Sequence, residues 1–221
     1  MLLTNSKPDF AKAYLKANEI LVKSSAIDTF PFSPKDLVKE QSNIVCRSFK
    51  TAKKHGVEIE TFGSDSAIIV QYGNRAIIFY DETKPKSHIC FSILHELGHK
   101  INGHDFTKKD DETYHKYEVE TNYFVAQLLM PEQLLREMQR RGVQITRTFL
   151  QSTFGVSAQA ADKRIETLSR INSEWRSKAE TEFDDIIMLR YAGFLDAISP
   201  VGCVYDFEKE YAWQQERNCW Y

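Results

Sequence analysis

His95-Glu96-Leu97-Gly98-His99 lies inside an apolar run that extends from Cys90 to Ile101. On a helix, residues four apart sit about 40° apart around the axis and one turn along it. Both imidazoles can therefore point at one spot, the arrangement in which a helix offers two nitrogens to one divalent cation. Glu96 is turned about 100° from His95. That places its carboxylate to reach a water beside such an ion rather than the ion itself, as a general base requires.

Two histidines and a glutamate at this spacing also arise by chance on solvated helix faces, and the flanking residues decide between the two readings. Cys90, Phe91, Ile93, Leu94, Leu97 and Ile101 make the segment apolar on most faces. The helix is expected to be buried, where unpaired polar groups are costly. Gly98 lowers helix propensity by roughly 1 kcal/mol relative to Ala, which implies that something packs closely against that point. The boundaries expected for this helix are a start near Lys86 to His88 and an end at Asn102-Gly103, where glycine supplies a left-handed cap.

Zinc in a catalytic site takes three protein ligands and keeps one position open. A second helix, expected from about Tyr117 to Leu135, carries Glu118 and Glu120. These two lie about 200° apart on the helical wheel, so they cannot share one site. Glu118 is the expected third ligand, because Asn122, Val125 and Leu129 continue its stripe inward, and Asn122 then supplies an amide to steady the ligands. Glu120 is the alternative ligand. One Zn²⁺ per chain is expected, with another divalent ion such as Mn²⁺ still open, since ligand type narrows the metal without fixing it. His104, His115 and Tyr114 lie where an oxyanion donor would be needed, although a surface role is the favoured reading of each.

The rest of the chain reads as supporting structure. Helices are expected from Phe10 to Val22 and from Pro34, capped by Ser33, to about Lys39. Val57–Thr61, Ser66–Tyr72 and Arg75–Tyr80 alternate or are β-branched, with Gly73-Asn74 as a tight turn, which predicts a short antiparallel sheet with a hairpin. One of these strands is a candidate to hold a peptide backbone along its edge. Lys108 to Tyr114 is expected to be a solvated loop.

Composition narrows the classes of function without excluding a partner. Among 221 residues the formal net charge is -2, which gives no electrostatic reason to bind nucleic acid or an anionic membrane. Cys46, Cys90, Cys203 and Cys219 lie far apart with no C-x-x-C pair, and no signal peptide is recognisable, so they read as reduced thiols of a cytosolic protein. No apolar run approaches the roughly 20 residues that span a bilayer.

His95-Glu96-Leu97-Gly98-His99 together with Glu118-x-Glu120-x-Asn122-x-Phe124-x-Ala126-x-Leu128-Leu129-Met130-Pro131 resembles the ImmA/IrrE family of zinc metallopeptidases over about Phe10 to Arg170. The resemblance implies an α+β, mainly helical, zincin-like (gluzincin-like) domain with a small antiparallel sheet packed on the His-Glu-x-x-His helix. It also implies a cytoplasmic endopeptidase, encoded by a bacterium or phage, that cleaves a DNA-binding, helix-turn-helix repressor and so switches mobile-element or stress-response genes. Thr121 stands where the family usually has Ala.

On this reading the metallopeptidase domain covers residues 1–170, closed by a helical pair at 145–168, and residues 171–221 form a helical, aromatic-rich extension. The pair, Ile145–Phe154 and Ala158–Leu168 around Gly155-Val156-Ser157, also invites a DNA-binding interpretation with Arg164 and Arg170 on phosphates. Without a basic stripe the peptidase-fold reading is preferred, and no direct nucleic-acid contact is expected. In the extension, Ala179–Ala197 reads as one amphipathic helix docked on the core, with a partner-binding surface as the alternative. A different class of function also stays open, that of a metal-containing regulator that holds a repressor or DNA without cutting it.

Overall fold

The computed structural model describes residues 7–59, 63–105, 110–171 and 176–200. In chain order its elements are α1 (Phe10–Lys23), α2 (Pro34–Glu40), β1 (Ile44–Ser48), α3 (Phe49–Lys54), β2 (Ala67–Tyr72), β3 (Arg75–Tyr80), α4 (Lys86–Asn102) and α5 (Asp111–Leu129). Then follow α6 (Glu132–Arg140), α7 (Arg147–Phe154), α8 (Ala158–Arg170), α9 (Lys178–Arg190) and α10 (Ala192–Ile198). The fold is α+β and mainly helical, with one small sheet.

The sheet has the order β1-β3-β2. β2 and β3 form the expected hairpin, Ala67 opposite Tyr80 through Tyr72 opposite Arg75, with Gly73 turning at φ 57°. The third strand corrects the sequence reading. It is Ile44–Ser48, which pairs parallel to β3 from Ile44 opposite Ala76, so the sheet is mixed rather than antiparallel throughout. Val57–Ile59 form no strand, and residues 60–62 lie outside the described residues. A parallel partner is hard to foresee, because it depends on a crossover, here α3 and β2, and not on local alternation.

α4 lies against β2 and β3 on one side and α5 on the other, and α5 in turn packs along α1. Ile93, Leu94 and Leu97 of α4 and Phe124, Val125 and Leu128 of α5 are all fully buried in one core. α5 begins earlier than expected because the Asp110 side chain accepts the Thr113 N–H at 2.7 Å and the acidic residues Asp111 and Glu112 occupy the first turn, where carboxylates favour the helix dipole. Residues 110–114 are therefore cap and helix, not loop, while 106–109 lie outside the described residues. α5 stops at Leu129, and α6 starts after Pro131, whose ring cannot continue a helix.

The helical pair α7–α8 turns at Gly155, φ 67°, and closes on this break from inside. Arg164 is 1% exposed. Its Nε and Nη2 donate to the Met130 carbonyl at 2.9 and 2.7 Å, and Nη2 also donates to Oε1 of Gln127 at 2.6 Å. A guanidinium at the C-terminal end of α5 suits the negative end of that helix's dipole. The phosphate-contact reading of Arg164 is thus wrong: the side chain is an internal cap. Arg170 is exposed and pairs with Glu166 at 2.6 Å.

The helix expected at Ala179–Ala197 is two helices joined at Tyr191, whose buried hydroxyl reaches the carbonyls of Leu21 and Ile27. Ile187, Tyr191 and Leu195 belong to the same core as α4 and α5. The aromatic residues beyond 200 lie outside the described residues. Among the described residues, no helix is long and apolar enough to cross a membrane.

Candidate active site

Apolar residues orient α4 and leave its histidines facing α5. With Ile93, Leu94 and Leu97 directed into the core, His95 and His99 fall on the side that looks along α5 toward Glu118. Gly98 is the contact that permits this. A Cβ there would stand 2.9 Å from Cδ1 of Phe124 and 3.0 Å from Cγ2 of Thr121, so only glycine lets the two helices approach this closely.

His95 Nε2 and His99 Nε2 lie 2.9 Å apart, and each is 3.3 Å from an oxygen of the Glu118 carboxylate. The three donor atoms fall within 4.8 Å of one another. Ligand bonds of 2.0–2.1 Å in tetrahedral geometry put neighbouring donors about 3.3 Å apart, so this spacing fits one such ion. Burial lowers the His99 pKa, with the Glu118 carboxylate opposing, while hydrogen bonding to the two imidazoles holds Glu118 well below the usual carboxylate range. Neutral imidazoles and an ionised carboxylate satisfy both shifts. With both Nε2 atoms unprotonated, as metal ligands are, the three groups would offer their lone pairs to one point, so they could hold a divalent cation.

Glu96 faces a different partner. Its Oε2 accepts the Ile69 N–H of β2 at 2.9 Å. β2 is an edge strand, and this N–H points away from β3, so the carboxylate sits between the His95–His99–Glu118 cluster and the outer edge of the sheet. Burial pushes the Glu96 pKa up to about 7 against the lowering effects of His95 and the Ile69 N–H. A carboxyl group so poised can both take and return a proton near neutrality. The Tyr114 phenol, exposed one turn before Glu118, hydrogen-bonds that carboxylate, and its pKa is raised chiefly by the Glu118 charge. His115 is exposed.

Two residues named from the sequence, Asn122 and His104, sit differently from expectation, and the alternative ligand Glu120 lies elsewhere. Asn122 is exposed, not inward, and the position behind His99 belongs to Thr121, buried with Oγ1 3.1 Å from His99 Nδ1. The inward face of α5 is centred on Thr121, Phe124 and Leu128 rather than on the stripe through Asn122, and the i, i+3, i+7 spacing of those three was the available signal. Glu120 does not approach the imidazole pair of His95 and His99. It is 4% exposed and accepts from Nε2 of His104 at 3.0 Å and from the Asp9 N–H at 2.7 Å. His104 is likewise no surface residue: its side chain is 2% exposed and stacks on Tyr117 with centroids 4.2 Å apart.

A comparison with curated proteins found no match. Residues 52–166, more than half of the chain, match the peptidase family Peptidase_M78, described as the IrrE N-terminal-like domain. That stretch holds the whole sheet hairpin, both site helices and most of the α7–α8 pair, and by it the chain belongs to the Peptidase_M78, IrrE N-terminal-like family of peptidases.

Proposed function

We propose that the chain is a zinc-dependent endopeptidase in which His95, His99 and Glu118 hold the metal and Glu96 is the general base. The observation that carries this reading is the meeting of two imidazole nitrogens and a carboxylate from separate helices, with Glu96 beside them against a sheet edge. Zinc held there would supply a Lewis acid that brings the pKa of water toward about 7 and polarises a carbonyl.

The chain's own groups account for the rest of the chemistry. Glu96 takes a proton from the attacking water and returns it to the leaving amine, its half-buried carboxylate being held beside the imidazoles by the Ile69 N–H. The edge of β2, whose outward Ile69 N–H is bound by Glu96, aligns an extended peptide by its remaining main-chain groups, with the scissile bond beside Glu96. The Tyr114 hydroxyl, hydrogen-bonded to Glu118, can turn to donate to the developing oxyanion. An exposed edge of this kind suits an extended protein segment better than a small molecule, and the substrate proposed is a linker in a helix-turn-helix repressor, reached in the cytoplasm.

The test is incubation of the zinc-loaded protein with the repressor encoded nearest its gene, followed by mass spectrometry of the products. Cleavage at one linker by the wild type and none by Glu96→Gln is the expected result. Intact repressor bound to a fully zinc-loaded protein would instead support a regulator that acts by binding alone.

A further inference from the structure

The α4 helix ends at Gly103, whose left-handed conformation, φ 71°, folds the chain back so that the His104 N–H bonds the His99 carbonyl at 3.1 Å. This turn drops the His104 ring behind His99. Their Nδ1 atoms lie 2.9 Å apart, and Thr121 Oγ1 stands 3.1 and 3.3 Å from them. On its far side His104 Nε2 meets Oε2 of Glu120 at 3.0 Å. The other Glu120 oxygen accepts the Asp9 N–H at 2.7 Å and lies 3.8 Å from the Lys116 ammonium.

With a metal on His99 Nε2, hydrogen-bond polarity leaves one arrangement of protons. A carboxylate only accepts, so His104 must carry its proton on Nε2. A second proton on Nδ1 would oppose the Nδ1–H that His99 carries when its Nε2 is a ligand. His104 Nδ1 is therefore a lone pair, His99 Nδ1–H donates to it, and His99 Nε2 is left as a lone pair facing Glu118 and His95. We propose that His104 and Glu120 are positioning residues, forming a chain from the α1 terminus through Glu120 and His104 to His99 that sets the tautomer of this one ligand. The inference rests on the zinc reading above.

The arrangement is one-sided. His95 Nδ1 is buried with no hydrogen-bond partner among the described residues, so only His99 is held in this way. A ligand with a fixed tautomer and ring orientation binds metal more tightly, and losing such support typically costs about 10- to 100-fold in affinity. Glu120 thereby joins α1 and α5 to the metal site through one carboxylate.

The test combines two measurements on the full chain. Long-range proton–nitrogen NMR on histidine-labelled protein, with and without zinc, reads the tautomers: Nε2–H on His104 is expected in both states and Nδ1–H on His99 in the zinc-loaded one. Zinc affinity by chelator competition is then compared for the wild type, His104→Phe, which keeps the stack on Tyr117, and Glu120→Gln, which keeps an acceptor for His104. His104→Phe should bind one zinc about 10- to 100-fold more weakly, and Glu120→Gln should lose less. A proton on Nδ1 of His104, or affinity for His104→Phe within twofold of wild type, would overturn the proposal. If His104→Phe does not fold, the wild-type tautomers and Glu120→Gln decide it. Failure of the wild type to bind zinc would instead refute the metal reading, while the metal-free His104 tautomer still tests its bond to Glu120.

Discussion

Gly98→Ala puts one methyl group where α4 and α5 touch. The added Cβ would lie 2.9 Å from Phe124 Cδ1 and 3.0 Å from Thr121 Cγ2, against 3.4 Å for the closest ordinary contact, so the helices must separate by about 3.4 − 2.9 = 0.5 Å. Neither neighbour can yield cheaply. Phe124 is fully buried, and Thr121 is held between His99 and His104. Overpacking a core costs about 1–3 kcal/mol, and replacing Gly by Ala in a helix returns about 1 kcal/mol. The net is a loss of about 0–2 kcal/mol, or a fall of roughly 2–4 °C in Tm per kcal/mol for a chain of this size. The site feels the shift more than the fold does. α5 carries Glu118, and a 1 Å misplacement can cost about 100-fold in rate, so half that displacement corresponds to about tenfold. Thermal melts and zinc titration of Gly98→Ala, with turnover on the cleaved substrate, give the comparison. A variant that gained the full helix-propensity increment and bound zinc like the wild type would show that the helices are not in the close contact described.

Glu96→Gln should keep one zinc per chain and lose nearly all turnover, measured by metal analysis and peptide cleavage, because only the proton acceptor is removed. Arg164→Ala should cost about 3 kcal/mol in chemical denaturation, since it strips the Met130 carbonyl and Gln127 of a buried charged donor; a loss under about 1 kcal/mol would contradict the internal-cap role. Glu137, bound at 2.7 Å by both Arg140 and Arg141, has its pKa lowered to about 2 from 4.5, first by Arg140. A depressed carboxylate stabilises the fold fully above its unfolded value and loses that contribution as pH falls through the folded one. Glu137→Gln should therefore flatten the decline of Tm between about pH 4.5 and pH 2 and leave it unaltered in slope above that window.

Local chemistry made much of this fold legible from residues alone. Ser33 as a cap, Gly103 as a left-handed stop, and the Gly73-Asn74 hairpin are each set by a residue's own conformational limits and its nearest neighbours. What escaped was non-local. The parallel strand Ile44–Ser48 depends on a partner that follows it by some thirty residues. Arg164 looked like a surface cation because nothing in its own helix reveals that the open end of α5 lies against it.

The candidate site divides in the same way. His95, Glu96 and His99 follow from helical spacing, and Glu118 was separable from Glu120 because the two lie on opposite sides of one helix. The choice between Thr121 and Asn122 was not separable by the same means. They differ by 100° on the wheel, and which one faces inward depends on where Phe124 seats against Gly98. His104 shows the same limit, since only the reversal at Gly103 carries it from the end of α4 into the interior.

The most direct test of the metal-dependent reading is metal stoichiometry by equilibrium dialysis against zinc, on the wild type beside His99→Ala and Glu118→Ala, with X-ray absorption of the bound ion. The expected result is one zinc per wild-type chain, with two nitrogen ligands and oxygen at about 2.0–2.2 Å, no retained metal in His99→Ala and strongly weakened binding in Glu118→Ala. Zinc that binds with equal strength to all three proteins, or a wild type that binds none, would contradict it.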